Sequence, residues 1–295
     1  MKPTLGLALG LLCAVAPLLA EMPAGKPTDD ELRIRGVFDS ALPGTERKNS
    51  LRLILHPHFG DLHQRDYLRV PFGLRYGLND RLELTGEIEG FFAHGIGQAP
   101  AFSRAGLSAL HLGTKYQFGE TWGFGWVTAV GFDFTRPLGN PPGDISDGLK
   151  HFAPYLSFSR RLDTAPDWRV FWSIGFNEVR TTALPTNLRE NQLGADAGTL
   201  SGGFLREHGP VTYTFETTLS SSRLSRKFDH DVITVRPGLV WVVPRRFTFG
   251  DGGRWVLGAG LKLSEGPDGF DVGVSTKLRV NFNFRSLWNT PKNHP

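Results

Sequence analysis

The chain of 295 residues is poor in sulfur, with two methionines and one cysteine, Cys13. This cysteine lies within the first 20 residues, MKPTLGLALGLLCAVAPLLA, which combine Lys2, an apolar run and a closing Ala20. These parts predict a secretory signal peptide over residues 1–20. Cleavage after Ala20 would leave a mature chain without cysteine, which excludes a fold held by disulfides.

Long apolar runs are also missing. After residue 20, no segment approaches the ~18 consecutive apolar residues of a membrane-spanning helix, so the sequence excludes a helical membrane protein. No stretch has the three-and-four apolar spacing of an amphipathic helix. Basic residues form no runs and no patches interleaved with aromatic residues, and we therefore expect no nucleic-acid partner.

The chain instead shows alternation with a period of two. In RLELTGEIEG, residues 81–90, Glu83, Glu87 and Glu89 alternate with leucine and isoleucine, which is the side-chain period of a β-strand. The pattern recurs from residue 51 onward. It predicts twelve strands, at 51–57, 65–77, 81–91, 105–118, 124–136, 151–161, 168–178, 194–205, 211–220, 232–243, 254–264 and 270–285.

The connections between these strands are mostly long and short in turn, although the last link, SEGPDG (264–269), is short and breaks the pattern. Tight turns such as LND (78–80) and LDTAPD (162–167) alternate with long segments, of which 92–104, 137–150 and 179–193 are the longest. Bacterial outer-membrane barrels have short periplasmic turns and long outer loops. Lipid cannot satisfy an open strand edge. We therefore predict an all-β fold, a closed twelve-stranded antiparallel transmembrane β-barrel of the bacterial outer membrane, with its longest loops on the cell surface.

The positions of the tryptophans also indicate a membrane barrel. All seven fall toward the periplasmic side of the predicted strands, and indole rings favour the membrane–water boundary. We predict that five of them form an outward-facing ring near one rim: Trp126, Trp168, Trp241, Trp255 and Trp288. The predicted organisation is a signal peptide (1–20), a periplasmic leader (21–50), the barrel (51–288) and a tail (289–295).

The segment LRVPFGLRYGLNDRLELTGEIEG, residues 68–90, resembles the second and third strands of the outer-membrane family linked to the meta-pathway of phenol degradation. Its core is RYG-x-x-D-R-L-E-L, residues 75–84. The resemblance implies a barrel that transports small aromatic or apolar compounds. Fold alone does not give function, and the substrate does not follow from this hairpin motif.

Alternate residues of each predicted strand point into the barrel. The inward set has more basic than acidic side chains, and such a wall favours anionic or polar solutes. The predicted lumen-lining residues are Arg69, Arg75, Arg81, Glu83, Glu87, Glu89, His111, Lys115, Asp133, Arg161, Arg236, Lys277 and Arg279. Twelve strands lie between the filled eight-stranded barrel and the open sixteen-stranded one. A passive channel for small solutes and a closed barrel with a structural or adhesive role therefore both stay open.

The sequence contains candidates for two other kinds of site. His56, His58 and His63 lie within HPHFGDLHQRD, but Pro57 separates the first two, so a polar loop is favoured over a metal site. A hydrolase needs a serine beside a histidine, and no His-x-Ser or Ser-x-His occurs. We expect no catalytic residue, metal or cofactor, and we expect outer-membrane lipid and a small solute as partners.

The hairpin at 78–80 also predicts a register. A three-residue LND loop sets Gly77 opposite Arg81. This places Arg75 opposite Glu83 and Arg69 opposite Glu89 on the lumen wall, where opposite charges stabilise a strand pair.

Overall fold

The computed structural model describes residues 41–59, 67–96, 100–121, 125–142, 145–146, 148–181, 196–222, 231–244, 247, 254–267 and 269–283. They form twelve strands: β1 (Ser50–Leu55 and His58–Phe59), β2 (Tyr67–Gly77), β3 (Leu82–Ala93), β4 (Ala105–Thr121), β5 (Trp126–Pro137), β6 (Lys150–Leu162), β7 (Ala165–Arg180), β8 (Ala197–His208), β9 (Val211–Ser221), β10 (Val232–Val242), β11 (Arg254–Gly266) and β12 (Gly269–Asn283). The predicted signal peptide, residues 21–40 and the tail lie outside the described residues.

Strand β1 has two segments because Pro57, which has no N–H group to donate, interrupts it. Both segments pair with β12 on one side and β2 on the other. Every other strand pairs antiparallel with its neighbours in the chain, so the sheet closes on itself. The predicted twelve-stranded antiparallel barrel is confirmed.

The two faces of the sheet have the distribution expected in lipid. On β2 and β3, Phe72, Leu84 and Ile88 are among the exposed side chains, whereas Glu83 and Glu89 are buried. A soluble sheet would bury the apolar face instead. Alternation therefore places the apolar side chains on the outside of the barrel and the charged ones in the lumen, as in outer-membrane barrels. Among the described residues, no helix is long and apolar enough to cross a membrane.

Three short turns lie at one end of the barrel, which we call the short-turn rim: residues 78–81, 163–164 and 209–210. The connections 94–104, 138–149 and 181–196 lie at the opposite rim, as does the two-residue connection 267–268. Whether that rim faces the cell exterior stays a prediction.

Four of the five tryptophans predicted to share one rim are described, and all four lie near the short-turn rim. They are the first residue of β5, the fourth of β7, the last but one of β10 and the second of β11: Trp126, Trp168, Trp241 and Trp255. The Trp168 ring packs against the outward Phe204 ring, with centroids 5.3 Å apart. The predicted rim is confirmed for these four; Trp288 lies outside the described residues.

The predicted register between β2 and β3 is wrong. Arg75 pairs with Thr85, and Glu83 pairs with Gly77, so Arg75 and Glu83 are diagonal neighbours rather than direct partners. They nevertheless share the inner face, with Arg75 Nη1 4.0 Å from Glu83 Oε1.

The second predicted ion pair is displaced by the same shift. Glu89 lies opposite Pro71 rather than Arg69. Its carboxylate instead accepts a hydrogen bond from Ser108 Oγ at 2.6 Å.

The cause is the side chain of Asn79. Its Oδ1 accepts hydrogen bonds from the backbone N–H groups of Arg81 and Leu82, both at 2.8 Å. Leu78 N donates to Leu82 O at 2.9 Å, so the loop comprises residues 79–81 rather than 78–80. An asparagine that bonds the backbone two residues on belongs at the start of a turn, which moves the loop by one residue.

Candidate functional site: the barrel lumen

Residues before β1 enter the barrel. Residues 41–49 form no strand, yet Leu42, Thr45 and Glu46 are almost completely buried. We call residues 42–46 the strap. The chain leaves the lumen at the short-turn rim, where Asn49 N donates to Gly77 O at 2.8 Å and β1 begins.

One wall of the lumen holds the strap mainly through its backbone. Glu46 N donates to Glu83 Oε2 at 2.8 Å, and Lys115 Nζ donates to Leu42 O at 3.1 Å. Gln117 Oε1 accepts from both Thr45 N and Thr45 Oγ1, at 3.2 and 3.1 Å. Buried backbone groups need such partners, and here the side chains of β3 and β4 supply them.

Buried charges at this wall are compensated. Glu83 Oε1 lies 3.5 Å from Lys115 Nζ and 4.0 Å from Arg75 Nη1. The strap brings its own carboxylate, since Glu46 Oε2 lies 2.8 Å from Arg52 Nη2. A charge removed from water requires an opposite charge or hydrogen bonds, and this cluster provides both.

The other end of the strap reaches the opposite wall. Leu42 belongs to a buried apolar cluster whose other members lie on the inner faces of β7, β8, β10 and β11: Phe171, Leu205, Val240 and Val256. Because its contacts described above are on β1, β3 and β4, the strap crosses the lumen near the short-turn rim. Inward polar side chains around this level, such as Ser157 and Arg169, are also buried.

Further into the barrel, large inward side chains lie against the wall. Asp133 pairs with Gly113, and Tyr155 pairs with Gly131. In each pair the larger side chain occupies the space that a Cβ on the glycine would fill. Such side chains lean over the neighbouring strand instead of extending toward the barrel axis. Asp133 is correspondingly exposed although it points inward.

Imidazole groups are hydrogen-bonded in this part of the lumen. His56 Nε2 lies 2.9 Å from Glu87 Oε2, and His111 Nδ1 lies 2.8 Å from Thr135 Oγ1. No group of three metal-ligating side chains occurs among the described residues. His63 and the side chain of His58 are not among them.

The remaining predicted lumen residues have different surroundings. Arg81 lies in the turn after β2 rather than on a strand. Arg161, at the end of β6, pairs with Glu207 at 3.1 Å near the short-turn rim. The other four lie on the inner faces of their strands: Arg69 on β2, Arg236 on β10, and Lys277 and Arg279 on β12.

Sequence reasoning missed the strap. Its residues, LPGTE, have no alternation, no motif and a mixed polar composition. Glu83 and Lys115, which hold it, are among the predicted lumen residues, but alternation along a strand assigns a side chain only to one face of the sheet. It does not reveal a segment from outside the sheet that packs on that face.

Solved structures share this fold. An outer-membrane channel from Pseudomonas putida F1 matches with a TM-score of 0.56 at 10% identity, over 83% of this chain and 100% of that one. The NanC porin matches with a TM-score of 0.51 at 11% identity, over 78% and 98%. At these identities the likeness concerns the fold alone. No family model and no curated protein sequence matches the chain.

Proposed function

We propose that the protein is a passive outer-membrane channel for small solutes, with its short-turn rim in the periplasm. The observation that carries this proposal is the lumen wall beyond the strap. Inward side chains such as Asp133 and Tyr155 lie over glycines, and Asp133 is exposed, so this part of the polar wall borders space that water can reach. The fold shared with outer-membrane channels supports the same conclusion.

The solute class follows from two arguments. The basic excess on the inner wall favours anions through its electrostatic potential. The resemblance of residues 68–90 to the phenol-degradation family favours aromatic compounds. Aromatic carboxylates meet both requirements, and we propose them as the preferred solutes.

Solute uptake into liposomes containing the purified protein tests this function. We expect benzoate to enter faster than a benzylammonium cation of similar size, and faster than through protein-free liposomes. Equal uptake rates for the two ions would contradict the anion preference but not the channel function. No uptake of any small solute above protein-free liposomes would contradict the channel itself.

A closed barrel with a structural or adhesive role is the second candidate. The strap favours it, because a segment buried across the lumen obstructs passage. The two functions differ in whether the strap ever leaves this position.

A further inference from the structure

We propose that the strap is a gate: residues 42–46 close the short-turn end of the lumen, and their release opens it. This inference rests on the proposed channel function, since a gate requires a path to close. The structure supplies three arguments for it.

The first argument is that the lumen wall is built to receive the strap. The carbonyl of Leu42 and the N–H groups of Thr45 and Glu46 each have a side-chain partner on β3 or β4. The Thr45 hydroxyl adds hydrogen bonds to Gln117 and to the backbone carbonyl of Asp80. A segment that only happened to lie in a wide lumen would leave some of these buried groups without such partners.

The second argument is that the strap can leave without damage to the barrel. Residues 41–49 contribute no strand to the sheet, and the closing ladder between β1 and β12 begins at Ser50. Release breaks the hydrogen bonds to the wall, the ion pair of Glu46 with Arg52 and the apolar contacts of Leu42. It leaves the hydrogen-bonded ladder of the sheet intact.

The third argument concerns charge. Release of the strap removes the Glu46 carboxylate from beside Arg52 and the Leu42 carbonyl from Lys115. The opened lumen is therefore more basic than the closed one. Gate opening and anion preference should increase together.

Two variants test the gate in planar bilayers. In the release variant, Leu42→Gly, Thr45→Gly and Glu46→Gly remove the apolar anchor, the hydroxyl and the carboxylate. We expect a several-fold increase in open time over the unmodified protein, with the reversal potential shifted toward anion selectivity. Lys48→Gly is the matched control, because it introduces a glycine at an exposed position just outside the strap and removes none of the side chains that hold it; its open time should stay near that of the unmodified protein.

A covalent lock provides the converse test and does not depend on the triple variant folding. Thr45→Cys with Gln117→Cys places one thiol on the strap and one on the wall, at two positions whose side chains are now in contact, with Oγ1 and Oε1 3.1 Å apart. Because cysteine is shorter than glutamine, a short bifunctional reagent is needed to span the gap. The only natural cysteine, Cys13, lies in the predicted signal peptide, so the mature chain would carry no competing thiol. A short reversible bifunctional thiol reagent should abolish conductance steps, and dithiothreitol should restore them. Each single cysteine variant, treated in the same way, controls for the reagent.

The outcomes separate the gate from the channel. Equal conductance of the unmodified protein, the release variant and the cross-linked pair would overturn the gate and leave the channel function standing. Absence of conductance from every folded variant, with folding checked by heat-modifiable electrophoretic mobility, would overturn both. Steps that appear on release and vanish on cross-linking are the result we expect.

Discussion

At the scale of the residue, Glu83 connects two parts of the molecule. Its carboxylate pairs with Lys115 and Arg75 and accepts the backbone N–H of Glu46, while only 2% of the residue surface is exposed. Removal of one partner from a buried ion pair leaves the other charge uncompensated.

We therefore expect Glu83→Gln to destabilise the barrel by about 3–5 kcal/mol, the range for a broken buried ion pair. Urea unfolding in detergent micelles measures the change. Glu120→Gln, at an exposed position of β4, is the control and should stay within about 0.5 kcal/mol of the natural protein. An equal, small effect of both substitutions would show that the Glu83 cluster contributes little.

Asn79 decides the register of the first hairpin through two hydrogen bonds to backbone N–H groups. We expect Asn79→Ala to lower the free energy of unfolding by about 1 kcal/mol, because hydrogen bonds of this kind contribute about 0.5–1.5 kcal/mol each and these are exposed. Asn79→Asp keeps the acceptor oxygen and should behave like the natural protein. Equal losses in both variants would mean that the acceptor is not the important group.

At the scale of the element, the strands repeat one arrangement in which an inward glycine lies beneath a large side chain of the adjacent strand. Gly131 beneath Tyr155 is the clearest case, since a Cβ on Gly131 would overlap the phenol ring. Gly86 is a strand glycine on the outer face, where a Cβ meets only Leu112 Cδ2 at 3.9 Å.

Gly131→Ala should therefore destabilise the barrel by about 1–3 kcal/mol through overpacking and push the Tyr155 ring toward the axis, so that conductance falls. Gly86→Ala should change neither quantity appreciably. Unfolding midpoints and single-channel conductance of the two variants test the difference. If Gly131→Ala conducts like the natural protein, Tyr155 does not border the path.

Alternation along each strand was sufficient to predict the barrel and its strand number, because apolar side chains outside and polar side chains inside impose a period of two. It did not place every charged residue, since Arg81 lies in a turn. Register was not predictable from parity alone, since a shift of two residues preserves both faces, as Arg75 and Glu83 show. The strap was not predictable because its position depends on tertiary contacts of backbone groups, which leave no periodic pattern in the sequence.

At the scale of the whole molecule, the barrel has mainly apolar side chains on its outer face and mainly polar side chains on its inner face, the reverse of a soluble protein. The exposed Ile88 in the middle of β3 should face the hydrocarbon. We expect Ile88→Lys to destabilise the barrel in lipid by about 2–4 kcal/mol, as for a basic residue at the bilayer midplane. Thr199→Lys, which points into the lumen from β8, should cost much less and increase anion selectivity. Similar costs at both positions would contradict the assignment of the faces.

The central claim is that the inner face of the barrel beyond the strap lines a conducting path. The most direct measurement is single-channel conductance of Asp133→Cys before and after addition of a bulky, membrane-impermeant thiol reagent. We expect a stepwise fall in current on modification of Asp133→Cys and no change for Phe132→Cys, its outward-facing neighbour. Complete modification of Asp133→Cys without any change in conductance would contradict the claim.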